Sequence, residues 1–211
     1  EALNKRQAAA YRAPWPWRWL RKPRRNTPSG SRDNIHRHYD ISNEFYRLWL
    51  DEQLVYTCAY FAEPQMTLEQ AQIAKMDHVC RKVWLQPGES VVEAGCGWGG
   101  FMFHAHRHHA ARCSGYNATG EQVESLRRMI SEHDLRDVLS VSECDFREVP
   151  GGFDKCASIG VLEHAGRDQL PETIRAMAKV LKPGGLGVLH FIGHVGLRDT
   201  EFYIRKHIFP G

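Results

Sequence analysis

No apolar run in this 211-residue chain approaches the roughly 18 residues that a membrane-spanning helix needs. Mean hydropathy is −0.50, and the reading is of a protein that does not cross a bilayer. The sequence also lacks a C-x-x-C pair. Its six cysteines (58, 80, 96, 113, 144 and 156) are sparse and sit mostly in strand-like contexts. They are expected to be free buried thiols in a reducing compartment rather than a disulfide framework. There is no internal repeat and no G-K-[ST], which sets aside solenoids and the P-loop, and the glycine turn is read as G-x-G-x-G rather than as the dinucleotide fingerprint. Neither apolar nor charged residues are scarce, at 42% and 25%, so a wholly disordered, collagen-like or mucin-like chain is excluded. The chain opens at Glu1 without an apolar signal core and is taken as soluble and trimmed.

The net charge of +3 is unevenly spread. Residues 1–40 hold ten Lys/Arg against three acids, and the remainder holds 18 against 22. Residues 1–34 read as an arm. Pro14, Pro16, Pro23 and Pro28 interrupt any helix, and Trp15, Trp17 and Trp19 alternate among Arg18, Arg21, Lys22, Arg24 and Arg25. Indole rings favour the headgroup region and clustered bases are drawn to anionic lipid, so contact with an anionic membrane surface is one expectation. The other is an arm whose tryptophans pack on the domain while its bases stay solvated. No nucleic-acid module accompanies the charge.

From residue 35 the pattern is regular. A helical segment over 35–86 includes a short helix from Ser42 to Leu50. It also includes a capping box, Thr67-Leu68-Glu69-Gln70, which opens a run spaced as Ile73, Met76, Cys80, Val83 and Trp84. Over 87–211, strands at Ser90–Ala94, Arg112–Tyr116, Leu139–Cys144, Asp154–Ile159 and Leu186–Phe191 alternate with helices near 99–109, 121–133 and 169–181. This predicts an α/β fold, a parallel sheet covered on both faces.

Between the first strand and its helix lies Glu93-Ala94-Gly95-Cys96-Gly97-Trp98-Gly99-Gly100. Alternating glycines let backbone approach a ligand closely, and open α/β sheets bind ligands at the carboxyl ends of their strands. G-x-G-x-G after the first strand, with an acid two residues earlier, resembles the S-adenosylmethionine (SAM) turn of class I methyltransferases. Asp145 and Phe146 close the third strand, where an acid could accept from an adenine amino group and a ring could flank the base. After the second strand, where such enzymes usually place an acid for the ribose, stands Asn117. Gln122 could hydrogen-bond there instead, or Thr119-x-x-Gln122 could be a helix capping box.

Longer strings carry a narrower resemblance. They are His38-Tyr39-Asp40-Ile41-Ser42-Asn43-Glu44-Phe45-Tyr46, Tyr56-Thr57-Cys58-Ala59-Tyr60-Phe61, the turn Gly95–Gly100, Ser158–Gly166, Leu181-Lys182-Pro183-Gly184-Gly185, Leu189-His190-Phe191-Ile192 and Ile208-Phe209-Pro210-Gly211. Through residues 30–211 the chain resembles the cyclopropane fatty-acid synthase family, which includes the mycolic acid cyclopropane synthases. The resemblance implies a class I SAM-methyltransferase, Rossmann-like doubly wound sheet. It implies methyl transfer from SAM to the double bond of an unsaturated acyl chain of a membrane phospholipid, or of a carrier-bound acyl chain, with bicarbonate as base. Cys58, Glu163, His190 and the Ile192 backbone would hold the bicarbonate. Tyr56, Thr57, Glu93, Gly95, Cys96, Gly97, Gly99, Asn117, Gln122, Asp145, Phe146 and Ile159 would form the SAM site. The resemblance also implies a cytoplasmic, peripherally membrane-associated enzyme, with its oligomeric state, homodimer included, left open.

Each residue also has a plainer reading. Cys58 could be an ordinary buried thiol, His190 a strand histidine satisfied by a neighbour, and Glu163-His164 a helix cap. The sequence departs from the family pattern at Glu93, usually Asp, and at Asn117-Ala118-Thr119-Gly120-Glu121-Gln122, more often T-L-S-x-x-Q. It stops at Gly211, where the family continues into its last two strands and the lid, so a fragment or ordered portion of a longer chain is expected. Other readings are a small-molecule enzyme of the coclaurine N-methyltransferase type, a lipid methyl- or methylene-branching enzyme, and a non-catalytic SAM-binding domain. Twelve histidines are present, and His104, His106, His108 and His109 crowd one helix. A metal site needs a third ligand that the sequence does not reveal, so they are read as a solvated face with no metal.

Overall fold

Val91 and Val92 are adjacent in the chain, yet each is 1% exposed and they fall in different halves of the core. That demands a strand covered on both faces, because successive strand side chains point to opposite sides. The computed structural model describes residues 43–165, 169–193, 195, 203–204 and 208–209, and in it this strand is β1 (Ser90–Ala94). It is joined by β2 (Arg112–Asn117), β3 (Leu139–Glu143), β4 (Phe153–Ile159) and β5 (Leu181–His190). The sheet order is β3-β2-β1-β4-β5 and every pairing is parallel. The chain reverses direction across the sheet between β1 and β4, where an open α/β sheet forms its ligand crevice.

The helices are α1 (Asn43–Arg47), α2 (Leu68–Lys82), α3 (Gly100–His109), α4 (Gly120–Glu132), α5 (Leu162–Ala165) and α6 (Leu170–Lys179). Met76, Val79 and Cys80 of α2, Met102 and Ala105 of α3, and Val123, Leu126 and Ile130 of α4 share one core with Val91, Cys113 and Leu139. On the other face Met177 of α6 and Val180 pack with Val92, Ala94 and Cys156. Burying each Val, Leu or Met side chain contributes about 1.5–3 kcal/mol. This is the doubly wound fold expected of class I SAM methyltransferases.

The Thr67–Gln70 capping box forms as expected, with Gln70 N–H donating to Thr67 Oγ1 at 3.3 Å and Thr67 N–H to Gln70 Oε1 at 2.9 Å. The last strand differs from expectation. It starts at Leu181 rather than 186, because pairing steps from Phe153↔Leu181 to Lys155↔Leu186 and Lys182–Gly185 bulges out within one strand. Pro183-Gly184-Gly185 reads locally as a turn, and only the partner strand shows that it interrupts a longer element. The thiols are free, as expected, with Cys80, Cys96, Cys113 and Cys156 buried and Cys58 exposed. The histidine face is not wholly solvated. His104 is 4% exposed and its Nε2 lies 2.8 Å from Asp77 Oδ1, because α3 packs that side against α2. Among the described residues no helix is long and apolar enough to cross a membrane. The arm over 1–34, the His38–Ser42 string and Pro210-Gly211 lie outside the described residues.

Candidate functional site

The carboxyl ends of β1, β2 and β4 open into a cleft of about 1100 Å³, counted out to its open mouth. Its floor is the glycine turn. Gly95 and Cys96 both donate backbone N–H to the Tyr116 carbonyl, at 2.8 and 3.3 Å, which ties the turn to the end of β2. Gly95 (φ +76°) and Gly97 (φ +52°) both occupy the left-handed region but for different surroundings. A Cβ at Gly95 would stand 2.3 Å from Val161 Cγ2, whereas one at Gly97 would meet nothing within 4 Å. Gly99 is packed under Leu126 at the start of α3. Gly95→Ala is therefore expected to cost about 2–4 kcal/mol of stability by urea denaturation, and Gly97→Ala about 1 kcal/mol. Equal costs at the two positions would contradict this division.

A strap of chain roofs the cleft. Asp51, 2% exposed, accepts from the backbone N–H groups of Gln53 and Val55. Two α2 side chains hold the next stretch of the strap. Gln72 Nε2 donates to the Val55 and Thr57 carbonyls at 3.0 and 2.9 Å, and Lys75 Nζ donates to Thr57 Oγ1 at 2.6 Å. Tyr56 and Thr57 thereby line the cleft opposite the turn. Tyr46 of α1 packs its ring, tilted, 4.9 Å from that of Trp98 and 5.4 Å from that of Tyr56, and Trp98 Nε1 donates to Asn43 Oδ1, which docks α1 onto the turn and strap together.

Glu93 sits at the inner end of the cleft, 4% exposed, with Oε2 lacking any protein partner. Burial pushes its carboxyl up to about 8 against the pull of Lys75. Burial also lowers Lys75 to about 8, opposed chiefly by Glu93 and then Asp51. Asn117 and Gln122 meet each other, Asn117 Nδ2 donating to Gln122 Oε1 at 2.6 Å. The capping-box alternative for Thr119 is corrected: Thr119 is the N-cap of α4 but makes no side-chain cap bond, since Gln122 is turned to Asn117. Asp145 carries a two-point ion pair with Arg147, Nε to Oδ1 at 2.8 Å and an η nitrogen to Oδ2 at 2.6 Å. Arg147 also lies over the Phe146 ring. Asp145 Oδ1 also accepts the Arg147 backbone N–H at 3.0 Å, which caps the short turn after β3.

On the β4 side, Ile159 lines the cleft and Gly160 N–H donates to the His190 carbonyl at 2.9 Å. Glu163 of α5 accepts the Ile192 N–H on Oε1 at 2.7 Å, so the Ile192 amide is already engaged. Glu163 Oε2 and His190 Nδ1 are buried with no hydrogen-bond partner among the described residues. Two such atoms, one an acceptor and one able to donate or accept, suit a small polar group that does both. Cys58 is exposed and, like Glu163, His190 and Ile192, is not among the residues that line the cleft itself. Gln72, Lys75, Trp98 and His164 are cleft or strap residues to which the sequence reading assigns no site role, although Trp98 and His164 stand inside its motifs. Gln72 and Lys75 are detectable as polar residues on the buried stripe of an amphipathic helix.

Residues 26–211 match the family model described as mycolic acid cyclopropane synthetase. A probable fatty acid methyltransferase of Pseudomonas putida is 38% identical over 181 residues, 82% of this chain and 46% of that protein. The solved cyclopropane synthase MmaA2 of Mycobacterium tuberculosis superposes with a TM-score of 0.70 at 34% identity, over 74% of this chain and 55% of that one. The mycolic acid cyclopropane synthase CmaA1, solved in complex with SAH and CTAB, gives 0.69 at 31%, over 72% and 53%. The chain spans about half the length of the curated relatives it matches.

Proposed function

We propose, from the premise that this chain belongs to the mycolic acid cyclopropane synthetase family, that it is the donor-binding part of a SAM-dependent C-methyltransferase. Its substrate class is the unsaturated acyl chain of a membrane phospholipid or of a carrier, and its product is a cyclopropane. The observation that carries the reading is the pairing of a glycine-turn cleft with two buried polar atoms, Glu163 Oε2 and His190 Nδ1, on neighbouring elements and without a hydrogen-bond partner among the described residues.

Bound SAM would supply an electrophilic methyl group. Gly95, Cys96 and Gly97 would present backbone to it, with Gly97 leaving the space a side chain would fill. Gly99 starts the helix after the turn. Asn117 and Gln122 would offer amide groups to the ribose, Asp145 and Phe146 would serve the adenine, and Glu93, at the inner end of the cleft, would face the donor. Tyr56, Thr57 and Ile159 close over it, held from behind by Gln72 and Lys75. An alkene is a weak nucleophile, so what the residues contribute is alignment and exclusion of water. Ring closure then requires a proton to leave the delivered carbon. Bicarbonate would supply the base. Glu163 Oε2 would accept its O–H and His190 Nδ1 would hydrogen-bond an oxygen, with Cys58 approaching from the strap. The Ile192 amide would act through Glu163, which it already holds. Exposed Phe191, Ile192 and Val195 supply apolar surface beyond β5 for an acyl chain.

The test is incubation of the full-length parent protein with unsaturated phospholipid vesicles and SAM bearing a fully deuterated methyl. Lipid that retains two of the three deuteriums supports proton loss from the delivered carbon. Lipid that keeps all three refutes it, and absence of any lipid product with the donor still bound refutes the lipid substrate.

A further inference from the structure

A second cluster of chemically active side chains lies where α2 crosses α3. Cys80 of α2 and His104 and His109 of α3 each place one ligand atom within 4.8 Å of the other two. Cys80 is 1% and His104 4% exposed, and His109 is half-buried. We propose that Cys80, His104 and His109 form a binding site for a divalent cation of the zinc class, bridging α2 to α3.

The donor set selects the cation. One thiolate and two imidazoles are borderline-soft ligands suited to tetrahedral zinc and poorly suited to calcium or magnesium. Asp77, one turn before Cys80, places Oδ1 2.8 Å from His104 Nε2. A carboxylate on one ring nitrogen fixes the tautomer that leaves the other nitrogen with its lone pair, the usual support behind a metal-bound histidine. As the metal–sulfur bond forms, the Cys80 thiol gives its proton to solvent. The Asp77 side chain itself is 47% exposed, at the edge of the buried pair Cys80 and His104. The third ligand is hidden from motif reading because Cys80 precedes His104 by a whole strand and turn.

The site's place in the fold gives it a consequence. Its α2 partner also carries Gln72 and Lys75, which hold the strap, and its α3 partner emerges from the glycine turn. A cation here would clip together the two helices that frame the cleft and would stabilise the folded state by an amount that rises with the logarithm of its concentration above Kd.

The experiment uses the full-length protein, stripped with chelator and titrated first with Co²⁺ and then with Zn²⁺. Support would be one Co²⁺ per chain with a thiolate-to-cobalt charge-transfer band and the visible bands of a four-coordinate site, displaced by Zn²⁺. Zn²⁺ should also raise the thermal midpoint. His109→Asn, at the half-buried position, should weaken Zn²⁺ at least tenfold, about 1.4 kcal/mol, while leaving SAM binding intact as evidence of folding. Cys80→Ala should abolish the charge-transfer band. Absence of the band in the native protein would overturn the proposal. So would a band that survives Cys80→Ala, which would move the metal to another thiol, or a midpoint shift that survives both substitutions, which would move it to the exposed histidines.

Discussion

Glu163→Gln is expected to reduce kcat by about 10²–10³-fold while SAM affinity changes less than twofold. The substitution is conservative in the place that matters for folding. A glutamine oxygen still accepts the Ile192 N–H that Glu163 Oε1 now takes at 2.7 Å, so α5 and the segment after β5 stay joined. What disappears is the negative acceptor at Oε2, the buried atom without a hydrogen-bond partner among the described residues. Donor binding, built on other elements, has no reason to move. Single-turnover rates and calorimetric SAM affinities on the full-length protein separate the two effects. An unchanged rate would remove Glu163 from the handling of the proton and return it to the role of a loop anchor.

Glu93→Gln is expected to stabilise the fold at pH 7.5 by an amount on the order of 3 kcal/mol, and to make no difference at pH 4. The sign comes from burial. The Glu93 carboxyl ordinarily titrates at 4.5 and in the fold is raised to about 8. The folded state therefore holds a proton that the unfolded chain has released, and Glu93's contribution falls as pH rises from about 4.5 through 8. Glutamine mimics the protonated acid and lacks that decline. Lys75 is present in both proteins but loses the upward pull of Glu93 in the variant, so it is lowered further there and part of the gain is offset as pH nears its value of about 8. Urea unfolding across this range should show the two curves diverging with pH. Parallel curves would mean that Glu93 is not the source of the slope. The variant should bind SAM about tenfold more weakly, the exchange expected where an active site retains an unfavourably buried charge.

How much of the molecule is legible in its sequence depends on whether a feature is local. The first four strands, the turn and the Thr67 cap are written in short windows, and each appears within a residue of where the pattern puts it. β5 starts earlier than its own residues suggest because a bulge is defined by the partner strand, and Lys182–Gly185 only looks like a turn until Phe153 and Lys155 are set beside it. Gln122 shows the same limit. Thr119-x-x-Gln122 satisfies the capping pattern, but the carboxamide goes to Asn117 because β2 delivers that side chain to the same spot. His104 looks solvated by composition, and its burial comes from α2, a helix whose packing partner no window of α3 reveals. The strap contacts are the clearest case. Gln72 and Lys75 interrupt an otherwise apolar face, and the reason becomes visible only when Val55 and Thr57 arrive against them.

The bond from Ile192 to Glu163 lies wholly on the β4 side, apart from the turn that floors the cleft. The donor side is embedded between strands, where a substitution disturbs packing on both faces of the sheet. The carboxylate is aimed instead by a residue beyond the last strand, 64% exposed and free of any core. On the proposed assignment, the fate of the proton is set by the part of the molecule that tolerates change best. Product identity can thus diverge among descendants through substitutions that leave the methyl-donor machinery untouched, and an engineer seeking a branched rather than a cyclised chain would begin there.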